Sequence, residues 1–312
     1  MGCHKRSTLL VCWGIIASLF LAGCGPAAPT ITPAATATSL GATVTPTATP
    51  TFLAATSAPL TNAPPTAAGR PTSELTITII YDNTAYDTSL QADWGFAALI
   101  QYGGHTVLFD TGASGQMLTS NMDKLGIDPT RIEAIVLSHA HEDHINGLQA
   151  LLGKGITPKV YVLPSFDSSF KNSVRARTNL VEVNGPLEIL PGLHSTGELG
   201  TSIVEQALVV ETGQGIVVIT GCAHPGIVSI VRQAKKMAKG DVALVVGGLH
   251  LLEVSLSQVK QVVADLRALG VRQISPTHCT GEAAIATFAD EYGEGYVQGG
   301  AGRVVKVLQK GE

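Results

Sequence analysis

His139-Ala140-His141-Glu142-Asp143-His144 packs three imidazoles and two carboxylates into six consecutive positions, and its setting decides how the rest of the chain is read. The run follows Ala134-Ile135-Val136-Leu137, a short apolar segment of strand character, and precedes Ile145, Leu148 and Leu151, whose spacing predicts a helix. His139 and His141, two apart in extended backbone, project to the same side. The turn into the helix carries Asp143 and His144 toward a second point. Imidazole and carboxylate are zinc ligands, and iron or manganese also accept them. One or two histidines at a strand end usually mark a polar turn, but three with an aspartate at this spacing point to metal.

Two further histidines stand in similar settings, His224 in Thr220-Gly221-Cys222-Ala223-His224-Pro225-Gly226 and His278 in Ser275-Pro276-Thr277-His278-Cys279-Thr280-Gly281. Each follows a predicted strand, and strand ends gathered on one rim let ligands from distant sequence meet. The candidate metal ligands are therefore His139, His141, Asp143, His144, His224 and His278. They are enough for two divalent ions, zinc in the first place and manganese or iron as alternatives.

The surrounding pattern predicts the frame that gathers them. Leu75–Tyr81 alternates and is rich in β-branched residues, and Ala97–Tyr102 with Thr106–Phe109 flanks a Gly103-Gly104 hairpin turn. A helix is expected near Gly115–Leu125 and a turn at Asp128-Pro129. In the second half, Ala207–Glu211 pairs with Ile216–Thr220, and Pro225 is expected to open a helix carrying Ile227, Val228, Val231 and Ala234. Val242–Val246 and Val271–Ser275 read as buried strands, and Ser255 with Gln258 reads as a capping box ahead of a helix. Strand pairs alternating with helices in two similar halves predict an α/β fold, an αββα sandwich over residues 75–312. Periodicity alone leaves other α/β topologies open.

Ahead of this domain the composition changes abruptly. Residues 1–24 begin with Lys5 and Arg6, run through an apolar stretch from Leu9 to Leu21 and end in Leu21-Ala22-Gly23-Cys24. This reads as a lipoprotein signal peptide with Cys24 as the lipidated residue, which implies a lipid anchor in the cell membrane or outer membrane and a protein facing away from the cytoplasm. Residues 25–74, almost wholly Ala, Thr, Pro, Ser and Gly, bury too little to offset the entropy of ordering and read as a disordered stalk. With 20 Lys and Arg against 24 Asp and Glu, net charge −4, and no basic cluster, nucleic acid is excluded as a partner and a small-molecule substrate is expected. Of the five cysteines only Cys222 and Cys279 belong to the domain, and a bridge between them stays open.

The HxHxDH run resembles the signature of the metallo-β-lactamase superfamily, and Leu108-Phe109-Asp110-Thr111-Gly112 is similar to its early Asp-Thr-Gly loop. Gly221-Cys222-Ala223-His224-Pro225-Gly226, Gly247-Gly248-Leu249-His250-Leu251, Thr277-His278-Cys279-Thr280-Gly281 and Tyr81-Asp82-Asn83 resemble the branch of 7,8-dihydropterin-6-yl-methyl-4-(β-D-ribofuranosyl)aminobenzene-5′-phosphate synthase. The likeness spans essentially the whole domain. It implies a dinuclear site, with Asp110 supporting the metal loop rather than binding metal. Where the superfamily usually carries a bridging aspartate, this chain reads Thr220-Gly221-Cys222, so Cys222 is either a thiolate ligand or a small buried residue. Trp94-Gly95-Phe96 and Ile145-Asn146-Gly147 also depart from the branch's commoner sequences.

The resemblance implies a metal-dependent hydrolase that acts through a metal-activated hydroxide on a phosphate-ester or nucleotide-like compound. One metal falls to His139, His141 and His224, the other to Asp143, His144 and His278. Asp143 also orients the nucleophile, and His250, after two glycines, faces the substrate; these two are the candidate catalytic residues. The helix opened by Pro225 is expected to turn free N–H groups toward the metals, a place for phosphate. His105 and His194 read as structural or surface residues. The alternatives are the branch's synthase (transferase) activity and a non-catalytic metal- or nucleotide-binding surface module.

Overall fold

The computed structural model describes residues 74–307; the signal segment, Cys24 and the stalk up to residue 73 lie outside them. Among the described residues no helix is long and apolar enough to cross a membrane.

The first sheet grows from the alternating segments. β1 (Leu75–Tyr81), β2 (Ala97–Tyr102) and β3 (His105–Phe109) form an antiparallel meander, and β4 (Ala134–Val136), β5 (Lys159–Val162) and β6 (Leu180–Glu182) extend it in parallel. The second sheet is built from β7 (Leu187–Leu190), β8 (Leu193–Ser195), β9 (Leu208–Thr212), β10 (Gly215–Thr220), β11 (Val242–Gly248) and β12 (Val271–Thr277). β13 (Val304–Val307) returns to the free edge of β1, giving the orders β13-β1-β2-β3-β4-β5-β6 and β12-β11-β10-β9-β8-β7.

Alternation along the strands explains the two cores. Val217, Ile219, Leu244 and Val246 of the second sheet pack with Ile77, Ile79, Leu108 and Val136 of the first, which fills the space between the sheets. The intervening residues Ile216, Val218 and Val245 face helices α5 (Ile227–Met237), α6 (Leu256–Ala268) and α7 (Glu282–Tyr292). Both faces of these strands are therefore covered, and their sequences are almost continuously apolar for that reason. Each such Val, Leu or Ile contributes about 1.5–3 kcal/mol by leaving water. On the other side, α1 (Gly115–Lys124) packs on β1, its N-terminus capped by the Ser114 hydroxyl, which accepts from Met117 N. The architecture is thus two facing sheets flanked by helices.

Three local expectations are corrected. Ile145, Leu148 and Leu151 do not share one helix: α2 (Glu142–Ile145) stops and α3 (Leu148–Gly153) starts afresh, with α4 (Ser168–Arg175) following β5. The break falls at Asn146-Gly147, where the backbone stays helical but the ladder is interrupted: Gly147 N donates to the Gly112 carbonyl, and a Cβ on Gly147 would lie 2.0 Å from the Thr111 carbonyl oxygen. Pro225 does not open α5; the cap is Gly226, at φ 86, a left-handed conformation natural to glycine. Ser255 does precede α6, but its hydroxyl donates to Gln258 Oε1 at 2.6 Å and caps no backbone N–H.

Candidate metal centre

The C-terminal ends of β3, β4, β10, β11 and β12 open on one rim, and the chain turns sharply as it leaves each. Among the described residues the non-glycine positions with positive φ are Asp110, Ala223, His250 and His278, one in each of four of these turns. Such conformations cost of order 1–3 kcal/mol and persist where packing over-determines them.

Asp110, fully buried at the end of β3, organises the first loop. Its Oδ1 accepts from Ser138 N at 2.7 Å, and its Oδ2 accepts from Ser138 Oγ at 2.8 Å and lies 2.7 Å from His144 Nδ1. Because the Ser138 hydroxyl spends its one proton on Asp110, it must accept from His139 Nδ1, 2.8 Å away. Both rings therefore carry their proton on Nδ1 and turn an Nε2 lone pair toward the rim. A similar argument fixes His278. Gly95 N donates to Asn83 Oδ1 at 3.1 Å, which makes that atom an acceptor, so His278 Nδ1 at 2.9 Å donates to it. Asn83 Nδ2 closes the pair by donating to the His278 carbonyl at 3.1 Å.

The exposed lone pairs converge. His139 Nε2 is 3.0 Å from His141 Nδ1, and His144 Nε2 is 3.2 Å from Cys222 Sγ and 3.5 Å from Asp143 Oδ2. His278 Nε2 lies 3.2 Å from Asp143 Oδ2 without making a hydrogen bond, and His224 Nε2 is buried with no partner. Two orphaned imidazole nitrogens among a carboxylate and a thiol are what a cation would satisfy, and nitrogens about 2.0–2.1 Å from one zinc lie roughly 3 Å apart. The residues present fit divalent metal. Ligand atoms fall into three groupings within 4.8 Å: Asp143, His144, Cys222 and His278; His139, Cys222 and His224; and Cys222, His250 and Cys279. His141 stands at the exposed edge against His139, and Cys222 joins both proposed positions.

Protonation favours ligation. Burial holds His139 far below the ordinary imidazole range and brings His224 down to about 4, so both are neutral at physiological pH. Burial pushes the Asp143 carboxyl up, but the close approach of the His278 and His144 imidazoles outweighs it and keeps the group ionised.

The loop after β10 is held differently. Glu205, fully buried, accepts from Gly221 N, Cys222 N and Ala223 N on Oε1 at 3.2, 3.0 and 2.8 Å, and from His224 N on Oε2 at 2.9 Å. The four amides ahead of α5 are thus filled by an internal carboxylate, and the helix whose N–H groups are expected to face the metals starts only at Ile227. Burial pushes Glu205 up to about 7 against the pull of those N–H groups. Glu205 escapes a reading of sequence spacing, its signal being the polar pair Glu205-Gln206 between apolar stretches, while Asn83, the partner of His278, lies in the Tyr81-Asp82-Asn83 motif, to which no role is assigned there. Cys222 and Cys279 are both free and buried, with Cys279 Sγ donating to the Cys222 carbonyl at 3.6 Å. His250 is exposed at the rim, its ring 4.2 Å from that of His224. His105 and His194 lie away from the site, beside Glu133 and Glu211.

The sequence profile of the metallo-beta-lactamase superfamily matches residues 95–235, which include the HxHxDH run and the Cys222 loop. Residues 95–235 carry a metallo-β-lactamase superfamily domain. The chain is 25% identical over 280 residues to 7,8-dihydropterin-6-methyl-4-(beta-D-ribofuranosyl)-aminobenzene-5'-phosphate synthase of Methanocaldococcus jannaschii, covering 73% of this chain and 95% of the relative, which supports the branch its motifs resemble. A solved metal-dependent hydrolase of the beta-lactamase superfamily is 27% identical, covers 75% of this chain and 100% of its own, and superposes with a TM-score of 0.64. The metallo-beta-lactamase fold protein YhfI of Bacillus subtilis shares the fold at 16% identity, TM-score 0.56, with 75% and 100% of the two chains covered.

Proposed function

We propose that the chain is a metal-dependent hydrolase of a phosphate-ester or nucleotide-like small molecule, with one divalent cation held by His139, His141 and His224 and a second by Asp143, His144 and His278. The observation that carries this reading is the convergence of the Nε2 atoms of His139, His144 and His278, whose tautomers are fixed by Ser138, Asp110 and Asn83, with the orphaned Nε2 of His224. Divalent cations in such a set supply Lewis acidity and a water that loses its proton near neutral pH. The chain's own groups supply the rest. Asp143, held ionised, is placed to orient the attacking water, and His250 at the exposed rim is placed to face the substrate and pass a proton.

The phosphate-ester class is supported by the relative whose substrate name ends in a phosphate. It is supported also by a local stretch 31% identical over 98 residues to ribonuclease Z of Borreliella burgdorferi, 30% of each chain, a name that denotes phosphodiester cleavage. The test is turnover by the full-length protein loaded with zinc or manganese. An aryl phosphodiester or phosphomonoester should be cleaved faster than a chromogenic cephalosporin. His250→Ala should slow that reaction by about 100-fold or more, the usual contribution of a positioned acid or base, while metal content holds. Efficient cephalosporin cleavage without phosphoesterase activity would overturn the reading. A transferase activity is favoured by the similarity along 95% of the synthase, and condensation without hydrolysis would establish it instead.

A further inference from the structure

One side chain belongs to every ligand grouping on the rim. Cys222 Sγ lies within 4.8 Å of the ligand atoms of Asp143, His144 and His278, of those of His139 and His224, and of those of His250 and Cys279. We infer that the Cys222 thiolate is the ligand shared by the two metal positions, in place of the superfamily's bridging aspartate. This rests on the dinuclear reading above and adds to it the identity of the bridge.

Geometry separates this role from that of a small apolar filler. A cysteine that merely fills space packs its sulfur among apolar atoms. Here the sulfur points at His144 Nε2 at 3.2 Å, on the face of the ring that the Asp110 contact leaves free to coordinate. The loop is also built to bring it there. Cys222 N is bound to Glu205, Gly248 N donates to the Gly221 carbonyl at 3.1 Å, and the residue is 3% exposed. Glycine on either side of the contact is required: a Cβ on Gly221 would lie 2.2 Å from Ser138 Oγ, and one on Gly248 would lie 2.8 Å from Cys279 Sγ. Glycine at 221 and 248 lets the neighbouring loops close tightly around the cysteine.

Chemistry allows the substitution. An aspartate bridges with its carboxylate, whereas one thiolate sulfur has lone pairs enough for two cations. Ligation replaces the S–H proton by metal and releases that proton to solvent. A thiolate is soft, so the site should prefer zinc or cobalt to manganese. Cys279 shares only the grouping with His250 and does not reach both metal positions.

The test uses the purified full-length chain reconstituted with cobalt and with zinc. The cobalt form should show an intense near-ultraviolet thiolate-to-metal charge-transfer band, and X-ray absorption of the zinc form should show a sulfur neighbour at about 2.3 Å. Both signals should vanish in Cys222→Ser and persist in Cys279→Ser. Cys222→Asp should bind metal without the band and shift its preference toward manganese. Full metal with only nitrogen and oxygen neighbours in the wild-type chain would overturn the inference and leave the dinuclear reading standing. Sulfur retained in Cys222→Ser and lost in Cys279→Ser would also overturn it. A wild-type chain that takes up no metal would overturn both. The wild-type X-ray absorption decides the question even if Cys222→Ser fails to fold.

Discussion

The loop after β4 and the loop after β10 face each other across the candidate centre, and each is held by one fully buried carboxylate. Asp110 binds side chains as well as one amide, Ser138 N: it accepts from His144 Nδ1 directly and reaches His139 through the Ser138 hydroxyl. Glu205 binds only backbone, the four consecutive amides of residues 221–224. The first carboxylate therefore sets which nitrogen of two ligands faces the metals, one from each proposed position. The second sets where a loop lies and leaves the electronics of its side chains alone. The same device, a buried carboxyl group beside a metal loop, serves ligand tuning in one half and loop shape in the other.

This contrast can be broken by substitution. The largest effect is expected from His144→Ala, which removes a ligand and one of the three donors to the buried Asp110. Elemental analysis should find most of the metal gone, and hydrolysis should fall with it. Full metal in this variant would dissolve the ligand assignment for the first loop. Next comes Asp110→Asn, which keeps every ligand but presents an amide to His144 Nδ1 and to the Ser138 hydroxyl that fixes His139. An outer carboxylate of this kind is worth about 10–100-fold in metal affinity or activity, and that loss should appear with an unchanged near-ultraviolet circular dichroism spectrum. An effect below threefold would mean that the tautomers are set some other way.

How far the sequence reveals these parts follows the range of the forces. The HxHxDH run is legible because four ligands share one turn, and the apolar strands are legible because burial on both faces leaves no polar residue in them. Asp110 is visible because it sits in a recognisable Asp-Thr-Gly loop. Glu205 is not, because its partners lie 16 to 19 residues ahead and meet it only once β9 and β10 have paired. The start of α5 is misplaced by two residues for a related reason: Pro225 suits a first helical position locally, but the loop pinned by Glu205 turns through Gly226 before the helix can begin. The break between α2 and α3 likewise depends on Thr111, more than thirty residues upstream.

Glu205→Gln should give the smallest effect on catalysis and the clearest effect on stability. The amide oxygen can still accept from Gly221, Cys222 and Ala223, but the amide nitrogen then opposes His224 N–H and one buried donor is left unpaired. Such a loss costs about 1–3 kcal/mol, a fall of several degrees in Tm for a domain of this size at roughly 2–4 °C per kcal/mol. Activity should change only a few-fold, since no ligand tautomer depends on this residue. The pH dependence gives a second readout. Burial raises the carboxyl in the folded chain from 4.5 to about 7, so the folded state binds a proton that the unfolded state has released. The stability from that proton is present in full below the unfolded value and is lost as pH rises through 7. Gln cannot titrate, so the Tm of the metal-free wild type minus that of the variant should fall between about pH 4.5 and 7. Comparing the two proteins cancels the buried histidines, which both contain. A difference that rises with pH across this window would mean that Glu205 is ionised throughout, with the four amides outweighing its burial.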